Sequence, residues 1–88
     1  MKIRIILRSS PLVSPFYEDG LEVALAAADM EIDTQVFFTG PFLEYIESVP
    51  SDNLVNKKIK QLYLYDIPVF KGDDLQDSDD SNVKVIEY

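Results

Sequence analysis

Cysteine, histidine and tryptophan are all absent from this 88-residue chain. Without cysteine there is no disulfide framework, thiolate nucleophile, persulfide carrier or thiolate-bound metal. Without histidine, the commonest general base and the commonest metal ligand are missing. Catalysis would have to come from Asp, Glu, Lys, Arg, Tyr or Ser, which argues against an enzyme, and no cofactor or metal is expected. Positive charge is scarce as well: 8 basic residues face 16 acidic ones, a formal net charge of −8. Phosphate binding rests on Lys and Arg, so nucleic acid is not expected as a direct partner. No apolar run approaches the roughly 20 residues that cross a bilayer, so no membrane partner is expected either. Met1-Lys2-Ile3 leads straight into a strand-like run with Arg4 inside it, without the pattern of a secretory signal. A cytoplasmic location is the resulting expectation.

What is present is an ordinary globular composition, 47% apolar, at a length that suits one domain over residues 1–88. Residues 2–8 place Ile3, Ile5 and Leu7 on one face and add Ile6 to the other, the pattern of a central strand covered on both sides. Ser9-Ser10-Pro11 breaks it. A helix is predicted from about Pro15 to about Met30, with Ser14 as a candidate cap and Tyr17, Leu21, Ala24, Leu25 and Ala28 at helical spacing. Its alanines make it slim enough to lie close to a sheet. Residues 33–39 form a second strand around Val36-Phe37-Phe38, and Gly40-Pro41 turns it into a short helix that Pro50 ends. Residues 53–65 read as a third helix with Val55, Ile59 and Leu62 on its apolar side and Lys57, Lys58, Lys60 and Gln61 on the other. Ile67-Pro68-Val69-Phe70 is a short strand whose proline belongs at its start or on a sheet edge. Residues 82–88 form a last strand, with Val83, Val85 and Glu87 on one face and Lys84, Ile86 and Tyr88 on the other.

The resulting order, β-α-β-α-α-β-β, predicts an α/β domain. Its expected form is a small, mostly parallel sheet of four or five strands flanked by helices in a minimal three-layer arrangement. Such a domain has a limited core, and oligomerisation is a usual remedy. Five Tyr and five Phe exceed what that core needs. Phe16, Tyr17, Phe42, Tyr45, Tyr63 and Tyr65 fall at or near helix ends, and they are the candidate interface residues.

Particular residues carry a resemblance. Gly20-Leu21-Glu22-Val23-Ala24-Leu25-Ala26-Ala27-Ala28, then Val36-Phe37-Phe38 with Gly40, then Leu64-Tyr65-Asp66-Ile67 resemble the DsrE/DsrF-like sulfur-relay proteins, nearest to the TusC/DsrF branch. The resemblance spans about residues 1–70. It implies a small α/β domain that assembles with homologous subunits. It also implies a relay that passes persulfide sulfur, in tRNA wobble-uridine thiolation or sulfur oxidation, through a Cys near the end of the third strand. Here Val69-Phe70-Lys71-Gly72-Asp73 holds no Cys, and beyond Leu75 the chain goes nearly straight to its last strand. The resemblance therefore implies a non-catalytic, accessory or structural subunit, with a Cys-bearing DsrE-like sulfurtransferase among its possible partners.

Other readings stay open beside it. Arg8, Ser9 and Ser10 follow the first strand, and with Gly40 they are candidate ligand-binding residues for a small anion at the strands' carboxyl ends. The same loop reads more simply as a polar turn with Arg8 snorkelling or paired to a carboxylate, and it lacks a Gly-rich phosphate fingerprint. A homo-oligomeric scaffold without chemistry is a third reading. Lys57, Lys58 and Lys60 read as a solvated helix face or as a docking surface for an acidic partner. Asp73, Asp74, Asp77, Asp79 and Asp80 lack the glycine and glutamate positions of an EF-hand, and read as a solvated loop outside any interface.

Overall fold

A computed structural model describes residues 2–72 and 83–88. The expected Asp-rich loop and its place relative to an interface lie outside the described residues. The elements run β1 (Lys2–Leu7), α1 (Phe16–Asp29), β2 (Asp33–Phe38), α2 (Gly40–Ser48), α3 (Leu54–Leu64), β3 (Val69–Lys71) and β4 (Val83–Glu87). The strands form one sheet in the order β3-β2-β1-β4, and every pairing is parallel. This is the α/β class with a helix-flanked parallel sheet that the alternation of patterns predicts. Among the described residues the sheet has four strands.

Register explains the core. Ile3, Ile5 and Leu7 pair with Thr34, Val36 and Phe38, so all six point to one face. Against that face pack Tyr17, Leu21, Ala24 and Ala27 of α1, Phe42 and Ile46 of α2, and Val55, Ile59 and Leu62 of α3. Ile86 and Tyr88 join its margin. The opposite face carries Arg4, Ile6, Phe37, Phe70 and Val85 by the same register. There Phe37 stacks on Phe70 with ring centroids 4.8 Å apart, and the Arg4 guanidinium sits 5.1 Å from the Phe37 ring.

Helix ends follow local chemistry. Ser14 Oγ accepts from Phe16 N at 3.2 Å, so its cap acts one residue ahead of the helix, whose first residue is Phe16 rather than Pro15. Asn53 caps α3 by accepting from Val55 N at 2.8 Å. Both long helices stop in the same way. After α1, Glu31 N donates to Ala28 O and Ile32 N to Ala27 O; after α3, Asp66 N donates to Tyr63 O and Ile67 N to Leu62 O. These paired bonds close a Schellman motif, which calls for a left-handed residue, and Glu31 and Asp66 hold φ of 61° and 56° without being glycine. Pro68 lies just ahead of β3, on an edge strand, where its missing N–H costs nothing.

Close approach of α1 to β1 depends on Gly20. A Cβ there would meet Leu7 Cδ2 at 2.4 Å and the Tyr88 ring at 3.0 Å, and Leu7 is fully buried and caged. Gly20→Val is expected to lower the unfolding free energy by about 1–3 kcal/mol through overpacking, measured by urea denaturation. Glu31→Gly should raise it by about 0.5–1 kcal/mol, since relief of a left-handed non-glycine residue outweighs the added chain entropy.

Candidate functional site

The four candidate anion-binding residues meet where β1 and α2 begin their turns. Gly40 has φ of 56°, and a Cβ on it would lie 3.2 Å from Arg8 Cγ. Thr39 N donates to Leu7 O at 3.1 Å and Phe42 N to Arg8 O at 2.9 Å, which ties the two loops together. The Arg8 guanidinium and the backbone N–H groups of Arg8 and Ser9 have other partners. Arg8 N and Ser9 N both donate to Tyr88 O, at 2.8 and 3.1 Å. The Arg8 guanidinium pairs with Glu87, Nε to Oε1 at 3.1 Å. Ser10 Oγ accepts from Leu12 N at 3.2 Å, and Ser10 O accepts from Val13 N and Ser14 N. Strand order changes direction between β1 and β4, the place where open α/β sheets commonly leave a crevice. Here Tyr88 fills it, so an anion would have to displace a carboxylate and a carbonyl to bind.

The six aromatics divide. Phe42 is fully buried, 5.2 Å from the Phe38 ring and 5.8 Å from Tyr17, which is also buried. These two pack into the chain's own core. Helical spacing that points a ring towards the sheet outweighs its nearness to a helix end. Tyr45 is half-buried, with its hydroxyl accepting from Asn53 Nδ2 at 3.4 Å. Phe16, Tyr63 and Tyr65 are exposed. Phe16 stands beside Leu12 and Val13, exposed 81% and 85%, in the β1–α1 loop; Tyr63 and Tyr65 flank the exposed Leu64.

The three lysines also separate. Lys58 leaves the polar face of α3 to bridge to α1: its Nζ donates to Glu18 Oε1 at 2.5 Å and lies 5.8 Å from the Tyr17 ring. That hydrogen bond holds the Glu18 carboxyl below its ordinary value and raises Lys58, while burial pushes the Tyr17 phenol up. Lys57 is exposed, and Lys60 turns elsewhere.

Lys60 lines a cleft of about 310 Å³ at the carboxyl ends of β2 and β3. Phe38, Ile46, Val49 and Ile59 make it apolar, and Glu47, Ser51, Asn56, Lys60, Tyr63 and Lys71 bring polar groups. Asn56, Ile59, Lys60 and Tyr63 stand at i, i+3, i+4 and i+7, one stripe of α3. Lys71 pairs in register with Phe38, which puts its side chain on the same face of the sheet. The stripe is legible as spacing, but that it faces a gap depends on where Val49-Pro50 sends the chain between α2 and α3.

Among the described residues no three His, Cys, Asp or Glu side chains are grouped to hold a metal ion. Nor is any helix among them long and apolar enough to cross a membrane. Comparison of the chain with protein-family models, with curated proteins and with solved structures finds no match in any of the three.

The Glu18–Lys58 pair sets a pH dependence. Glu18 is lowered, so its contribution to stability is present above the unfolded carboxyl value and is lost as pH falls through its depressed folded value. Lys58 is raised, so its contribution persists until pH rises through a value above the ordinary lysine range. Acid unfolding followed by circular dichroism should show a shallower fall in stability between pH 4.5 and 2 for Glu18→Gln than for the parent chain, roughly the window in which carboxylates titrate.

Proposed function

We propose that this chain is a DsrE/DsrF-like accessory subunit that binds within a sulfur-relay assembly and carries no sulfur itself. The observation that supports the reading most is the cleft beside β3. The resemblance puts a relay cysteine near the end of the third strand, and that strand, Val69–Lys71, ends at the cleft with a lysine. With no thiol anywhere in the sequence, the cleft has no atom able to hold a persulfide. The exposed Tyr63, Leu64 and Tyr65 adjoin it at the end of α3 and give a partner an aromatic surface to cover. In this reading the partners are homologous subunits, one of them a Cys-bearing sulfurtransferase, and the pathway is tRNA wobble-uridine thiolation or sulfur oxidation.

The test uses two measurements. Incubated with a cysteine-desulfurase persulfide donor, the chain should show no mass increase of one sulfur by intact-mass spectrometry. Mixed with a Cys-bearing DsrE-like sulfurtransferase from the same genome, it should co-sediment as a defined hetero-oligomer, and Tyr63→Ala with Tyr65→Ala should weaken that complex about ten-fold or more, the scale of an aromatic interface anchor. A stable sulfur adduct on the chain, or two independent sedimenting species, would sink the reading.

A further inference from the structure

We infer that the cleft between α2, α3 and the ends of β2 and β3 binds a small organic acid with one anionic head and a short apolar body. The inference does not rest on the sulfur-relay reading.

The size and lining suit a small ligand. A volume of about 310 Å³ lies at the low end of the roughly 300–1,000 Å³ typical of small-molecule sites. Its floor is apolar, built on Phe38, Ile46 and Ile59, all buried and so held in place by the core behind them. A flat or convex patch would favour a protein partner, whereas a concavity of this size over fixed apolar side chains favours a chain of a few carbons.

The charges choose the head group. The chain has eight cations, and half of them are committed: Lys2 pairs with Asp33, Arg8 with Glu87 and Lys58 with Glu18, while Arg4 lies over Phe37. Lys60 and Lys71 reach the cleft from α3 and from the end of β3, and neither has a carboxylate within 4.0 Å among the described residues. Two ammonium groups with no counter-ion among the described residues, beside an apolar floor, attract an anion, and lysine as a point charge accepts a carboxylate or a phosphate alike. The carboxylate of Glu47, on the α2 wall, repels a second negative group. The site should therefore prefer a single-headed acid to a diacid of equal length.

Titration of the folded chain by two-dimensional amide NMR tests this, with hexanoate and hexyl phosphate as probes. Both should give saturable shifts centred on Ile59, Tyr63 and Lys71, with hexanol, inorganic phosphate and adipate at least five-fold weaker. Lys60→Gln and Lys71→Gln should each raise the hexanoate Kd about five-fold or more. Lys57→Gln, on the same helix and outside the cleft, should leave it unchanged, and Glu47→Gln should narrow the gap between hexanoate and adipate. Equal binding of hexanol would overturn the inference, as would hexanoate binding that survives the double lysine variant. Shifts produced only by an acidic peptide, with none from hexanoate or hexyl phosphate, would do the same and assign the lysines to a protein partner. Hetero-oligomer formation measures the relay reading separately, so either idea can fail alone.

Discussion

The pairing of β1 with β2 is the constraint on which everything else depends. Six consecutive register pairs bring Ile3, Ile5 and Leu7 level with Thr34, Val36 and Phe38 on one face. A slip of β1 by one residue against β2 would turn Arg4 and Ile6 towards the helices and Ile5 away while Val36 stayed in place. All three helices bury their apolar stripes in the cluster built on that face, so none has a docking surface until the register is set. Ala24 and Ala27 let α1 lie close to those strands, and Gly20 lets it come closest where Leu7 ends β1. Tyr17, Phe38 and Phe42 then fill the larger space that α2 leaves.

Much of this was legible because period and position agree locally. The alternation in residues 2–8 and the spacing of Val55, Ile59 and Leu62 each report a buried face that the structure keeps. Pro68 signalled an edge, and β3 is one. The site was less legible, since it depends on what comes from far along the chain. Nothing near Arg8 announces that Glu87 will take its guanidinium and Tyr88 O the neighbouring N–H groups. Lys58 looks like its neighbours Lys57 and Lys60 until α1 places Glu18 and the Tyr17 ring opposite it. Tyr17 and Phe42 lie near helix starts, but the helical phase that aims them at the sheet overrides that position. The cleft was invisible for the same reason: Asn56, Lys60 and Tyr63 are ordinary polar-face residues until Lys71 arrives across from them.

The chemistry open to the chain follows from the same economy. Among the described residues, Arg8 pairs with Glu87 and Lys2 with Asp33, while Glu18 meets both Lys58 and the Tyr17 hydroxyl. Each pair is partly exposed, and such pairs hold side chains in place more than they stabilise the fold.

The position of β4 has a bearing on how the molecule is made. β1 lies at the centre of the sheet, and its partner on one side comes about 80 residues later in the chain, Lys2 opposite Val83. Contacts of such long range raise contact order and slow folding. During synthesis β1 can pair with β2, and the helices can pack, while the outer edge of β1 stays open. The β1–α1 loop waits too, since Arg8 N and Ser9 N have no carbonyl to bond until Tyr88 is in place. A nascent chain therefore exposes the unpaired edge of its most apolar strand until β4 leaves the ribosome, and that interval is when a holdase would matter most to this protein.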